Sequence, residues 1–276
     1  MPTTPRNWFD ANRRNWDERV ALHLKTVSYE LDSLRQQAGR LNWIEEQELG
    51  SVEGLRVLHL QCHFGRDSLM LAQRGANVVG LDFSGDAIRV ARELTVELGL
   101  ADRASFVQAN IYDAKTALSA EPPFDLVYVT WGALCWLPDM KGWAAIVSHF
   151  LKPGGVLYLA EQHPASAVLD DTVEHGEGPL WFWPYFSDEP LVIEQPTDYV
   201  GDMPQMESGP IYAWIHPLGD IVTALSQAGV KIEWLHEHAK LTWEAFPGMV
   251  EDENGLYAWP DKPWLPLAFS IRAVKE

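Results

Sequence analysis

The sequence predicts a doubly wound α/β domain, in which helices cover both faces of a mostly parallel sheet. Three observations support this fold class. Short apolar strands alternate with helical segments from residue 56 onward. The strands are apolar on both faces, as in VLHL, DLVYV and VLYLA, which is typical of a parallel sheet buried between helix layers. The helical segments stop at glycine or proline turns, such as Gly99, KPGG and Gly229.

The elements of the first half follow in order along the chain. In the helix 84–98, Ser84 is placed to cap the N-terminus, Asp86 favours its positively polarised end, and Gly99 stops it. Helix 138–151 begins at a proline and ends in KPGG, a turn that cannot continue a helix. The predicted strands are 56–60, 77–82, 105–109, 124–130 and 156–161, and the helices between them are 67–74, 84–98 and 138–151.

Two segments lie outside this alternation. Residues 8–49 carry apolar positions such as Val20 and Leu24 at helical spacing, so 1–50 is predicted to form a helical cover over a domain at 51–276. Residues 164–214 are rich in Pro, Gly and Trp, and they are predicted to form an inserted lid, because loops of this length are usually lids or binding loops. A helix at 218–228 and strands at 230–235 and 265–274 complete the domain.

Charge and composition narrow the classes of function. The 276 residues carry a net charge of −18, which repels a phosphate backbone, so no nucleic-acid partner is predicted. No apolar stretch of about 18 residues and no apolar leader occurs, so we expect no membrane partner and a cytoplasmic location. The two cysteines, Cys62 and Cys135, lie far apart without histidines at metal-ligand spacing, which argues against a disulfide framework or a metal site. A monomer or homodimer is expected.

Ligands of an open α/β sheet bind beyond the carboxyl ends of its strands, so the residues that follow each strand are candidates for binding. After the second strand, Asp82 is well placed to accept both ribose hydroxyls of an adenosine. After the third strand, Asn110 offers an amide for an adenine amino group beside the apolar Ile111. The candidate cofactor residues are Leu60, Gln61, Cys62, His63, Gly65, Arg66, Asp82, Phe83, Ser84, Asn110, Ile111, Tyr112, Thr130 and Trp131.

Taken in order, these segments resemble a known family. The segments VLHLQCHFGRDSL, VVGLDFS, FVQANIYDA, FDLVYVTWGALCWLPD and FLKPGGVLYLAEQHP resemble the motifs of class I S-adenosylmethionine-dependent methyltransferases over roughly residues 50–163. LQCHFG, with the later YAWIHPLGDIVTALSQAGV and FPGMV, resembles a bacterial subgroup of that superfamily. The resemblance implies a Rossmann-like methyltransferase fold with a seven-stranded sheet. It also implies S-adenosyl-L-methionine as the cofactor, S-adenosyl-L-homocysteine as its product, and a small-molecule methyl acceptor.

The first loop departs from the family pattern. The family has an acid at the position of His59 and glycines at the positions of Gln61 and His63, where backbone approaches the methionine part of the cofactor. Gly65 is retained. Two interpretations of the altered loop stay open: Gln61 or His63 reaches the methionine moiety, or the two side chains brace the loop.

Two other functions are compatible with parts of the pattern. A nicotinamide-dependent oxidoreductase shares the acid after the second strand, but it needs G-x-G-x-x-G to seat a pyrophosphate at the helix N-terminus. QCHFGRDS has one glycine, and Asp67 has the wrong charge to face two phosphates. A non-catalytic protein that binds S-adenosylmethionine or S-adenosylhomocysteine is also compatible, because these motifs describe binding rather than chemistry.

Methyl transfer from a sulfonium is an in-line displacement, for which a general base is optional. Candidate bases are Glu161, His163, Tyr212 and His216. A histidine that bonds loop backbone is the alternative for His163, and a structural cap is the alternative for His216. Tryptophan and tyrosine faces suit a flat or cationic acceptor, although they suit a lipid-like one as well. The predicted acceptor pocket comprises Trp16, Tyr29, Trp131, Trp183, Tyr185, Phe186 and Trp214.

Overall fold

The computed structural model describes residues 5–25, 31–37, 39–169, 181–194, 197–198, 205–260 and 263–276. Its helices are α1 (Pro5–His23), α2 (Leu31–Arg35), α3 (Trp43–Glu48), α4 (Arg66–Gln73), α5 (Gly85–Glu97), α6 (Ala114–Ala117), α7 (Met140–Phe150), α8 (Pro164–Ala167) and α9 (Leu218–Gln227). Its strands are β1 (Arg56–Leu60), β2 (Asn77–Asp82), β3 (Ala104–Gln108), β4 (Phe124–Thr130), β5 (Leu151–Gln162), β6 (Leu191–Ile193), β7 (Ile211–Ala213), β8 (Val230–His238), β9 (Val250–Glu251), β10 (Tyr257–Ala258) and β11 (Ala268–Lys275).

The main sheet confirms the predicted fold class. Its seven strands lie in the order β3-β2-β1-β4-β5-β11-β8. Strands β1 to β5 are parallel, and β11 runs antiparallel to both of its neighbours. The strand order reverses between β1 and β4, so their carboxyl ends open a crevice where ligands bind in such sheets.

Most element boundaries agree with the sequence patterns, and β5 is the main exception. It begins at Leu151 rather than at residue 156, because Leu151 already pairs with Phe124 before the strand register shifts. The KPGG turn therefore lies within the strand as an irregularity. β8 likewise continues to His238, three residues beyond its predicted end, through its pairing with β11.

Helix α5 illustrates how the sequence specifies a helix that covers the sheet. Ser84 caps it, since its Oγ accepts a hydrogen bond from the Ala87 N–H at 3.0 Å. Ile88, Ala91 and Leu94 are buried on one face of the helix, as the spacing of apolar residues predicted. Burial of Ile88 and Leu94 stabilises the fold by about 1.5–3 kcal/mol for each side chain.

Two further layers cover the carboxyl edge of the sheet. On one side, α1 packs against β7, and β7 pairs with β6 within the insertion after β5. On the other side lies a segment that we call the C-terminal wall, residues 241–258, which includes the β9–β10 hairpin. A third apolar cluster, which includes Leu241, Phe246 and Met249, anchors this wall. None of the described helices is long and apolar enough to cross a lipid bilayer.

Candidate functional site

A cleft of about 2100 Å³ lies at the carboxyl ends of β1 to β4. Its floor is formed by the loops that follow these strands, and its sides by α1, α3 and the C-terminal wall. The strand-end residues selected from the sequence meet here because parallel strands bring their carboxyl ends to one edge. Those that line the cleft are Gln61, Cys62, His63, Arg66, Asp82, Phe83, Asn110, Ile111, Thr130 and Trp131.

Four other predicted cofactor residues support the cleft without lining it. Leu60 is fully buried in the apolar core beneath β1. Gly65 precedes α4 in a left-handed conformation, with φ of 78°, and Ser84 caps α5. The hydroxyl of Tyr112 forms hydrogen bonds with the main chain of Asp139, the residue before α7, at 3.0–3.1 Å. Burial raises the pKa of Tyr112.

Asp82 lines the cleft as a carboxylate that is held by main-chain N–H groups. Its Oδ2 accepts the main-chain N–H of His63 and its Oδ1 accepts that of Ser84, both at 2.9 Å. Its side chain is nevertheless only slightly exposed, and burial raises its pKa to about 6, against the lowering effect of these two hydrogen bonds. Each carboxylate oxygen still has a second lone pair, so Asp82 can accept two hydroxyl donors from the cleft.

The loop after β1 keeps a glycine-like backbone without the family's glycines. Gln61 and His63 have φ of 57° and 51°, in the left-handed region that disfavours residues with side chains. The side chain of Gln61 donates from Nε2 to the carbonyl of Ala133 at 2.6 Å, which ties this loop to the one after β4. The His63 ring lies 2.9 Å from His23 on α1. Both side chains therefore make contacts that brace the loop.

Gly65 is required at its position for two reasons. Its φ of 78° is left-handed, and a Cβ built there lies 2.6 Å from the ring of Phe106. The glycine of QCHFG thus permits both the turn into α4 and the close packing of that turn on β3.

Glu161 supports the loop after β4 from below. Its Oε1 accepts the N–H groups of Ala133 and Leu134 at 2.5 and 2.8 Å, and its Oε2 accepts that of Gly132 at 2.8 Å. Burial raises its pKa, partly offset by these hydrogen bonds. This arrangement holds the preceding residue, Trp131, at φ of 38° with its ring against the cleft.

The structure does not bring the four candidate bases to the cleft. Glu161 is engaged by backbone as described, and Nδ1 of His163 accepts the Ala165 N–H at 3.0 Å, so that His163 caps α8. His216 contacts the carbonyl of Leu137 at 2.7 Å rather than capping α9. The main chain of Tyr212 is paired with the side chain of Asn12 on α1. Gln162, the neighbour of Glu161 on β5, does line the cleft.

The predicted acceptor pocket is only partly reproduced. Trp16, Trp131 and Trp183 line the cleft, whereas Phe186 is 80% exposed and points away from it. The hydroxyl of Tyr185 accepts the Leu218 N–H at 3.3 Å. Trp214 is buried against Trp8, with ring centroids 5.3 Å apart. Tyr29 lies outside the described residues.

The sequence patterns missed the C-terminal wall, which supplies much of the aromatic lining. Trp243, Phe246 and Tyr257 line the cleft from this wall, and the Trp243 ring meets Trp131 edge-on at 5.9 Å. Trp43 of α3 lines it as well. The residues FPGMV were noted only as part of a subgroup resemblance, because an irregular segment between two strands has no periodicity to interpret.

Carboxylates accompany these rings. Glu244, Glu251 and Glu253 line the same wall, and among the described residues none of the three forms an ion pair with a lysine or arginine. In the described part of the chain, no group of three or more His, Cys, Asp or Glu side chains is arranged to hold a metal ion.

Comparison with known proteins agrees with this architecture. Residues 57–155 match the family described as a methyltransferase domain. A ubiquinone biosynthesis O-methyltransferase from Leptothrix cholodnii is 35% identical over 133 residues, which make up 47% of this chain and 54% of that protein. The chain spans about half the length of the relatives it matches.

Solved structures share the fold across most of the chain. An S-adenosylmethionine-dependent methyltransferase from Mesorhizobium loti superposes with a TM-score of 0.58 and 19% identity, covering 87% of this chain and all of that one. The glycopeptide N-methyltransferase MtfA, solved with S-adenosylmethionine, gives a TM-score of 0.54 and 17% identity over 84% of this chain and 92% of that one.

Residues 57–155 thus match a methyltransferase domain, and the main sheet has the fold of solved S-adenosylmethionine-dependent methyltransferases. The predicted fold class is confirmed, and the matches agree with the resemblance to methyltransferases, whereas the resemblance to a bacterial subgroup stays a prediction. This particular chain carries the domain together with helices α1 to α3, an insertion after β5, and the C-terminal wall between β8 and β11.

Proposed function

We propose that this protein transfers a methyl group from S-adenosyl-L-methionine to a small-molecule acceptor. The observation that carries the proposal is Asp82, a buried carboxylate that faces the cleft from the end of β2. The neighbouring strand end supplies Asn110 and the apolar Ile111. A carboxylate next to an amide and an apolar side chain matches the ribose and adenine of an adenosine.

The residues of the cleft fit the proposed cofactor. Asp82 would hold the ribose hydroxyls, and Phe83 and Ile111 would lie beside the adenine. Within the described part of the chain, Oε1 of Gln61 is a buried acceptor with no hydrogen-bond donor, and a buried acceptor of this kind favours a donor from a ligand. We assign Gln61 Oε1 to the ammonium of the methionine moiety, while its Nε2 braces the loop.

When bound, the cofactor supplies an electrophilic methyl group on a sulfonium. The chain's own part is to hold the acceptor in line with that methyl group and to exclude water. None of the four candidate bases lines the cleft. Catalysis therefore depends on positioning of the acceptor rather than on a general base. Glu161 acts here as a positioning residue, because it fixes the loop that carries Trp131.

The acceptor side of the cleft favours a flat molecule without negative charge. Trp43, Trp183 and Trp243 present aromatic faces, and aromatic faces bind planar or cationic groups. The carboxylates of the C-terminal wall, which form no ion pair with a lysine or arginine of the described residues, add negative potential to the same side, which opposes an anionic acceptor.

A nicotinamide-dependent oxidoreductase is less compatible with this cleft. Asp67 lies in the first turn of α4 and lines the cleft beside Arg66, to which it is paired at 2.7 Å. A pyrophosphate seated at this helix N-terminus would meet the Asp67 carboxylate, and the loop has side chains at Gln61 and His63 where backbone would have to approach phosphate.

The experiment is calorimetric titration of the purified protein with S-adenosyl-L-homocysteine, with NADH in parallel. The proposal predicts micromolar affinity for S-adenosylhomocysteine and no heat with NADH. Transfer of radiolabelled methyl groups from S-adenosylmethionine is then screened over flat amines, phenols and their carboxylated analogues, with the carboxylated compounds expected to be poorer acceptors. Binding of NADH alone would overturn the proposal, and tight cofactor binding without transfer to any acceptor would favour the non-catalytic alternative.

A further inference from the structure

Helix α1 carries a buried polar stripe in addition to buried apolar residues such as Val20. Asn12, Asn15, Arg19 and His23 recur at intervals of three or four residues, which places them on one face of the helix. Their exposed fractions are 1%, 0%, 4% and 0%. Burying four polar side chains costs stability unless each one is hydrogen-bonded, so this face must have specific partners.

The partners lie in the described parts of the insertion. Asn12 pairs with both main-chain groups of Tyr212, at 2.7 and 2.8 Å. Asn15 donates to the carbonyl of Ser208 at 3.1 Å. Arg19 donates to Asp198 at 3.1 Å and to the carbonyl of Thr197 at 3.0 Å. These hydrogen bonds join α1 to residues 197–198 and 205–213, and we call the joined unit the cover.

At the last residue of the stripe, the cover meets the loop after β1. Nε2 of His23 lies 3.1 Å from Asp198 Oδ2, and Nδ1 of the same ring lies 2.9 Å from His63 Nε2. The main-chain N–H of His63 in turn bonds Asp82. A continuous series of hydrogen bonds therefore links Asp198 of the insertion, through His23 on α1 and His63 in the loop, to Asp82, the carboxylate assigned to the ribose.

The hydrogen bonds of this polar network limit where its protons can lie. Asp198 accepts a hydrogen bond from Nε2–H of His23. One hydrogen bond joins Nδ1 of His23 to Nε2 of His63, so one of these two nitrogens donates and the other accepts. The two facing nitrogens share a single proton, and the pairing holds only while one of them is unprotonated. Burial and the nearby His23 and Arg19 lower the pKa of His63, which keeps it neutral near pH 7.

We infer that His23 and Asp198 are positioning residues that latch the cover onto the cofactor loop through His63. The latch explains why His63 occupies a left-handed position where the family has glycine. The contact with His23 on α1 is made by the His63 side chain, which glycine lacks. Closure of the cover and binding of the cofactor at Asp82 are then coupled, because both depend on the same loop conformation. The identity of the cofactor in this inference rests on the proposed function.

Two substitutions distinguish the effect of the His23–His63 contact from the effect of the loop conformation. His63→Gly restores the family residue, relieves the left-handed strain and removes only the side chain that reaches His23. His23→Ala removes the other half of the pair. His236→Ala is the matched control, since His236 is half-exposed on β8 and pairs with Glu48 at 2.8 Å without lining the cleft. Thermal unfolding of each variant checks that it is folded.

The measurements are calorimetric affinity for S-adenosylhomocysteine and hydrogen exchange of α1 in the unliganded protein. We expect His63→Gly and His23→Ala each to weaken binding about tenfold and to accelerate exchange in α1. The double variant should be no weaker than either single one, because both remove one interaction. His236→Ala should match wild type in both measurements.

Opposite results would overturn the latch. Tighter or unchanged binding by His63→Gly would mean that the histidine only fills the loop, and additive losses of about a hundredfold in the double variant would mean that the two residues act independently. Wild-type protein that binds no S-adenosylhomocysteine would contradict the proposed function instead. In that case the exchange of α1 still decides the latch, since equal exchange in wild type and His63→Gly would refute it.

Discussion

The main-chain N–H of His63 donates to Asp82 Oδ2 at 2.9 Å, which joins the loop after β1 to the carboxylate after β2. The carboxylate is thereby fixed in orientation before a ligand arrives. Since preorganised groups lose little freedom on binding, this pair should contribute more to cofactor affinity than a mobile surface acid would.

Removal of the Asp82 carboxylate tests the cofactor assignment directly. Asp82→Ala should weaken S-adenosylhomocysteine binding by about one to two powers of ten, because hydrogen bonds to a charged group contribute about 1.5–3 kcal/mol each. Calorimetry measures the loss, and circular dichroism checks that the variant is folded. An affinity equal to that of wild type would contradict the assignment of Asp82 to the ribose.

Acidification should weaken cofactor binding in the range where Asp82 is protonated. Burial raises the pKa of Asp82 to about 6, so the carboxylate is ionised above that pH and neutral below it. Ribose hydroxyls donate more strongly to the ionised form, and we expect affinity to fall as the pH is lowered from 7.5 to 5. In Asp82→Asn this part of the pH dependence should disappear, which titrations at several pH values measure.

Gly65 should be intolerant of any side chain. Gly65→Ala combines a left-handed φ of 78° with a Cβ placed 2.6 Å from Phe106, and we expect the free energy of unfolding to fall by about 2–4 kcal/mol. Gly99→Ala is the matched control, since its φ is 66° and nothing lies within 4 Å of a Cβ there. Urea denaturation compares the two, and equal losses would show that Phe106 accommodates the methyl group.

Glu45 makes the stability of the fold depend on pH. This side chain of α3 is fully buried, where Tyr128 donates to it at 2.8 Å, and burial raises its pKa from 4.5 to about 8. A carboxyl with a raised pKa stabilises the fold least when ionised, so its contribution is lost as the pH rises from 4.5 through 8.

Replacement of Glu45 by glutamine keeps the acceptor for Tyr128 and removes the titration. Relative to wild type, the free energy of unfolding of Glu45→Gln should rise by about 4 kcal/mol between pH 5 and pH 8.5, measured by urea denaturation at both values. Glu46→Gln is the neighbouring control, because Glu46 pairs with Arg74 and its replacement removes a favourable interaction. A constant difference between Glu45→Gln and wild type at the two pH values would contradict the prediction.

The C-terminal wall should contribute to binding of the acceptor and not to binding of the cofactor. Trp243→Ala removes a ring that lines the cleft from the C-terminal wall, so methyl transfer to an acceptor found by the screen should show a raised KM with unchanged affinity for S-adenosylhomocysteine. Phe186→Ala is the control, since that ring is 80% exposed and its loss should change neither value. An unchanged KM in Trp243→Ala would remove this wall from the acceptor site.

The sequence was most informative where one physical rule acts locally. Strands β1, β2 and β4 were predicted to the residue because apolar runs bounded by turns have a single interpretation in a buried parallel sheet. Asp82 and Asn110 were found because strand ends converge by topology. His163 and Tyr212 were misplaced relative to the cleft, because which face an irregular segment presents depends on contacts with distant residues such as Asn12.

The polar stripe of α1 was visible in principle. Residues 12, 15, 19 and 23 have helical spacing. The apolar pattern of Val20 and Leu24, however, predicts that another face of the helix is buried. A buried polar face is recognised only when its partners are known, and here they lie about 180 to 200 residues away in the sequence.

The left-handed conformations of Gln61 and His63 have an evolutionary consequence. Glycine fits both positions with less strain, so we expect side chains to persist there where a partner such as His23 or Ala133 holds them. Relatives that have glycine at the position of His63 should retain the histidine at position 23 less often, since that histidine then loses its bond to the loop. The two positions are expected to change together during descent, as a single inherited character.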